Sequence, residues 1–161
     1  MHEIPADFDQ NHRGLVTVTS ALIAGPWIFM AVASVIGPVQ PPPANGSQSP
    51  FEIVRFVMWG FSLLIVLPMV VIYRQQSAAL AAETEFGAKL TLLRGRTIVI
   101  TAMAEGAALL AGVVTMLDGN PLLALPGFLP LIAWMVVGFP TRARVLDELL
   151  DNKSSLNRQY R

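Results

Sequence analysis

Cysteine is absent from the 161 residues, so disulfides, thiolate metal sites and thiol nucleophiles are all excluded. Histidine is almost absent: His2 and His12 both lie in the polar N-terminal stretch, are too few for a metal site, and read as solvated surface residues. Charge is scarce as well, at 14% of residues against roughly 25% in an ordinary soluble domain. Eleven basic residues balance eleven acidic ones, so no net field selects nucleic acid as a partner. The chain also lacks an internal repeat and any sustained heptad, which excludes solenoids and coiled coils. What it has instead is apolar sequence, 53% of the total, gathered into long runs within the length of a single domain.

A helix crossing a hydrocarbon core of roughly 30 Å needs about 20 predominantly apolar residues. Four segments read as spans: 15–36, with no charge; 53–73, with Arg55 near its start; 97–117, with Glu105 inside; and 122–139, shorter and carrying Pro126 and Pro130. Each is apolar on every side, unlike the one-sided helices of a soluble surface. They predict an all-α fold, a four-transmembrane-helix bundle forming a single membrane domain with lipid as its first partner.

Lysine and arginine give the bundle a direction. The outer loop 37–52 and the outer turn 118–121 contain neither. The tail 1–14 has Arg13, the loop 74–96 has Arg74, Lys89, Arg94 and Arg96, and the tail 140–161 has Arg142, Arg144, Lys153, Arg158 and Arg161. Ten of the eleven basic residues therefore share one side, which predicts both chain ends in the cytoplasm. Arg55, the eleventh, is expected to snorkel to the outer boundary. A competing reading treats the first apolar run, up to Ala31-Val32-Ala33, as a signal peptide whose removal would leave three spans. Glu3, Asp7 and Asp9 against a single Arg13 are the wrong flank for one.

The outer loop, with Pro41-Pro42-Pro43 and Asn45-Gly46-Ser47, predicts an extended linker. Asp118-Gly119-Asn120-Pro121 has tight-turn chemistry and predicts an antiparallel hairpin of the third and fourth spans. Residues 75–85 are alanine-rich, so the second helix should continue a few turns into the cytoplasm, with Gly87 as the expected break. Pro140 should kink the chain after Phe139. Residues 141–151 then predict a short amphipathic helix, with Val145, Leu146, Leu149 and Leu150 on one side, lying on the membrane or capping the bundle.

Glu105 is the one acid deep in a span. Eight residues past Thr97, it lies about 12 Å into a core of roughly 30 Å, where a charge costs at least ~2.5 kcal/mol and the neutral acid is favoured. Arg55 starts about 3 Å inside the opposite boundary, roughly 15 Å away in height, so a direct ion pair is disfavoured. Ser62 and Trp134 fall at the height of Glu105, as does the Leu22 carbonyl, which Pro26 deprives of its usual N–H donor. On the same helix Thr97, Thr101, Glu105, Ala108, Gly112 and Thr115 recur at spacings of four and three, a small and polar stripe suited to close helix packing. Ala102 and Gly106 offer a second small pair.

Two roles follow for Glu105. One locks the third helix into the bundle or a neighbouring subunit; the other binds a proton or couples an ion. Trp27 and Trp59, like Trp134, read as packing residues. Ser20, Ser34 and Ser62 have no histidine at their depth to activate them, so no catalytic residue, cofactor or metal is expected and an enzyme is not. The expected working mode is self-association or binding of a membrane partner. A proton- or ion-coupled carrier, and an adaptor for a soluble partner through 74–96, are the alternatives.

Ala104-Glu105-Gly106-Ala107-Ala108-Leu109-Leu110-Ala111-Gly112 resembles the acid-bearing helix of the rotor-ring proteolipids of rotary ATPases. That likeness implies an ion-binding carboxylate at Glu105. It covers about a dozen residues, and the preceding helices lack the proteolipids' glycine repeat. Over most of its length the chain is similar to small, uncharacterised four-span bacterial inner-membrane proteins. The shared features are Ala102-x-x-Glu105-x-x-Ala108 and Phe139-Pro140-Thr141. This second likeness implies the topology and no activity.

Overall fold

The computed structural model describes residues 8–38 and 52–150, and every element among them is helical: α1 (Phe8–Ile36), α2 (Glu52–Leu64), α3 (Val66–Ala82), α4 (Phe86–Asp118), a 3-10 turn (Pro121–Leu123), α5 (Leu125–Val137) and α6 (Arg142–Leu150). His2, most of the outer loop (39–51), and the tail from 151 with Lys153, Arg158 and Arg161 lie outside the described residues. Three helices are long and apolar enough to cross a membrane, α1, α2 continued by α3, and α4; a fourth crossing requires α5 and α6 to count as one span bent by 66°. Large apolar side chains such as Val35, Ile53, Leu63 and Val137 stay exposed around the outside. Water does not tolerate such a continuous apolar surface, and lipid does.

Contacts along the chain set its direction through the bundle. Asn11 meets Arg94, Glu105 meets Gly25, Thr115 meets Met30 and Pro38 meets Gly119, so α1 and α4 run parallel. His12 hydrogen-bonds the Pro140 carbonyl and Asp9 pairs with Arg142, which brings both described ends of the chain to one end of the bundle. This end also holds Arg94, Arg96 and Arg144, and is the basic end. Arg55 with Asp118, and Trp59 with the Leu123 carbonyl, mark the far end.

Several boundaries differ from the sequence reading, each for a local reason. The second span breaks at Ile65 into α2 and α3. Pro68 has no N–H for the Leu64 carbonyl, and its ring crowds that carbonyl, so the helix bends one turn upstream. Flanking bonds from Ile65 N to Phe61 O and from Met69 N to Ile65 O keep the two pieces nearly continuous. The second helix continues past residue 74 to Ala82, as the alanine-rich stretch predicts, and the rest of 74–96 is helical as well except at 83–85. The chain turns there rather than at Gly87 because the Glu83 carboxylate accepts from the backbone N–H groups of Thr84 and Glu85 at 2.8 and 3.1 Å. The same two bonds, Glu85 first, hold the Glu83 carboxyl below its usual range. Gly87 sits in the first turn of α4, and α1 likewise starts at Phe8, seven residues earlier than the first predicted span.

α5 has 13 residues, about 20 Å of helix, which falls short of a ~30 Å core even with the 3-10 turn ahead of it. The turn itself is built from Gly119, left-handed at φ 72° as the cap of α4, and from the Asn120 side chain accepting the Leu122 N–H at 3.1 Å. α6 packs on the bundle. Val145 and Leu149 are buried with Phe8, Leu15, Leu80, Leu90 and Leu93 in a small core at the basic end, separate from the main core between the spans. His12 belongs to that cap too. It stacks on Phe8 at 6.0 Å and is half-buried, where the sequence suggested a solvated residue.

Candidate functional site

α4 is the central helix, and 44% of its apolar window is buried, against 22% for α1 and 17% for α2–α3. Its small stripe meets α1 at Glu105, Gly112 and Thr115, while Thr97 and Thr101 line a cleft shared with α3, α5 and α6. Thr101, Ala108, Gly112 and Thr115 are buried. Thr115 donates to the Ala111 carbonyl at 3.0 Å and reaches Met30 Sδ at 3.1 Å. Gly112 lets the Phe29 ring in so closely that a Cβ there would meet ring carbons at 2.4 and 2.7 Å. Thr97, at the basic end of the stripe, donates to Leu93 O.

Glu105 lies in this seam, half-buried, and its carboxyl occupies the space that Gly25 leaves empty: Oε1 is 2.8 Å from where a Cβ would stand. The acid therefore meets α1 beside Pro26 and three residues from Leu22, which packs against the main core. Ser62 faces elsewhere, buried against Gly127 of α5 and 3.8 Å from Met58 Sδ. Trp134 lines clefts along α5. Arg55 pairs with Asp118 at 3.1 Å instead of snorkelling outward, with side chains only 16% and 7% exposed. Trp59 donates to Leu123 O, and Trp27 packs edge-on to Phe128 at 5.0 Å.

Some polar groups escaped the sequence reading. Thr19, fully buried on α1, leaves its hydroxyl without a hydrogen-bond partner, and periodicity alone does not separate it from its apolar neighbours. At the basic end Arg96 is buried among Glu148, which it binds as an ion pair, Ser77, which accepts from it at 2.9 Å, and the Tyr73 ring, 4.7 Å below its guanidinium carbon. Only the depth of Arg96, one residue before the third predicted span, hinted that it needed a partner.

Comparison with protein-family models, with curated proteins and with solved structures gives no match. Both resemblances of the chain therefore rest on the residues quoted for them. The apolar helices are compatible with an integral membrane protein.

Proposed function

We propose that the chain is a multi-pass protein of the bacterial inner membrane, with both ends in the cytoplasm, that works without catalysis by associating with a second copy of itself. The observation that carries the association is the open face of α4. Its first small stripe is largely buried within the bundle, whereas Ala102 and Gly106 are exposed, and a Cβ on Gly106 would meet nothing within 4 Å. Small residues on a lipid-facing helix let a second backbone approach closely, the main source of helix association where no hydrophobic drive exists. Gly95, also exposed, continues this face one turn beyond Val99.

The chain has no cysteine of its own, so cross-linking reads this directly. Cysteine introduced at Gly106 or Ala102 is expected to give a linked dimer in native membranes, and cysteine at Ala108 or Gly112 none, because those positions are buried within the bundle. Absence of a dimer at 102 and 106 overturns the association.

Glu105 has the locking role in this reading. Its carboxyl fills the notch at Gly25 within the bundle, where a lipid-facing acid would be needed for rotor-type ion exchange. Glu105→Gln keeps the shape and is expected to leave stability within about 1 kcal/mol. Reconstituted protein should then show the same proton permeability in both forms. An acid-dependent flux that disappears with Glu105→Gln would transfer the function to ion coupling.

A further inference from the structure

We propose that a cleft at the basic end holds an anionic membrane phospholipid, its phosphate on Arg144 and one acyl chain along Trp134. The cleft, about 500 Å³, lies where α3, α4, α5 and α6 converge. That volume is within the range of small-molecule sites, roughly 300–1,000 Å³. Its two ends differ in chemistry. Arg96, Arg144, Glu148 and Tyr73 form one end, while Ile100, Pro130, Ala133 and Trp134 wall the other. The polar end sits where the predicted spans stop, one residue before Thr97 on α4 and beyond Phe139, the end of the fourth predicted span. A lipid phosphate occupies that height in either leaflet, with its chain beside the apolar wall.

Charge selects the occupant. Two guanidinium groups face one carboxylate in the lining, which leaves one net positive charge. Arg96 is not the source of it, since Glu148, Ser77 and Tyr73 hold it in place. Arg144 is 44% exposed, donates once to the Val137 carbonyl, and has its Nε 3.7 Å from Glu148, which leaves N–H groups of its fork for a phosphate. A phosphodiester carrying one negative charge matches this end, and the apolar wall matches an acyl chain. A zwitterionic headgroup would bring a second cation to a site already positive.

The inference rests on the membrane reading, whose failure is separately visible as a chain that stays monomeric in buffer without detergent. The experiment uses the full chain in phosphatidylcholine vesicles doped with phosphatidylglycerol whose acyl chains are brominated, and reads quenching of tryptophan fluorescence. Brominated phosphatidylcholine provides the reference. The parent protein is expected to prefer the anionic lipid about fivefold. Arg144→Gln should abolish that preference and Arg144→Lys should keep most of it. Arg142→Gln, at an exposed residue bound to Asp9 on α1, should leave it unchanged. An equal loss in the Arg142 variant would mean general surface attraction and overturn the site, as would a parent without preference. Displacement of the lipid by millimolar inorganic phosphate would assign the site to a free anion and overturn the lipid. Retained helicity by circular dichroism, together with Arg144→Lys, separates loss of binding from loss of fold.

Discussion

Replacing Arg55 with Gln is expected to lower the unfolding free energy of the bundle, followed by SDS titration in mixed micelles, by about 3 kcal/mol. The reasoning starts from Asp118. It is the last residue of α4 and carries a negative charge at a helix C-terminus, where the macrodipole disfavours it by ~0.3–1 kcal/mol. Its side chain is 7% exposed, so solvent does little to relieve it, and the Arg55 guanidinium 3.1 Å away supplies the compensating charge. Removing one member of a nearly buried pair strands the other, at a cost of about 3–5 kcal/mol. Asp118→Asn loses the same attraction but recovers the dipole penalty, so its effect should be smaller by several tenths of a kcal/mol. The double variant should lose clearly less than the sum of the singles, since the second change removes the stranded charge. Additive single effects below about 0.5 kcal/mol would show that the pair is solvated and contributes little.

This pair also shows how far depth counting reaches. Counting residues from the ends of the predicted spans puts Arg55 near the outer boundary, and Asp118 opens the turn that follows the neighbouring span at that boundary. Their common height was therefore readable, although the sequence reading sent Arg55 to water. The all-helical class, the presence of several long apolar helices and the turn at Asp118-Gly119-Asn120-Pro121 were legible because composition and turn chemistry act locally. The basic end was not, because its order comes from contacts between remote segments. Phe8 and His12 meet Phe86 and Pro140, and Arg96 meets Glu148, across 52 to 128 residues. The start of α4 at Phe86, eleven residues ahead of the third predicted span, was not legible either, because Leu90 and Leu93 find their apolar partners in α1 and α6.

Glu105 illustrates the same division. Its depth follows from counting, and its surroundings do not. Ser62 and Trp134 share its height, yet rotation of α2 and α5 about their axes turns Ser62 toward Gly127 and Trp134 toward the clefts. The residue that receives the acid is Gly25, recognisable only by what it lacks. Height is a one-dimensional quantity; which face of each helix looks inward depends on packing that a single sequence encodes weakly.

Glycine substitutions along α1 and α4 test that packing, and their expected costs rank by what a new methyl group meets. Gly112→Ala should be the worst of three, at about 1–3 kcal/mol, because its Cβ would meet Phe29 ring atoms at 2.4, 2.7 and 3.3 Å and a rigid ring cannot bend away. Gly25→Ala meets the tip of the Glu105 side chain at 2.8 Å, a flexible end that can swing aside, so its cost should stay below about 1 kcal/mol. Gly106→Ala meets nothing within 4 Å and should be neutral or stabilising by ~0.4–1 kcal/mol in the monomer, where helix propensity alone acts. Adding Phe29→Leu to Gly112→Ala makes room for the methyl, and the pair should recover part of the loss, which a double-variant SDS titration measures as coupling. If Gly112→Ala proved as mild as Gly106→Ala, α1 and α4 would not be in close contact there, and Glu105 would have no seam to lock. A Gly25→Ala cost equal to that of Gly112→Ala would instead show that the carboxyl is pinned in its notch. The acid would then bear on the packing of α1 as strongly as the Phe29 ring does.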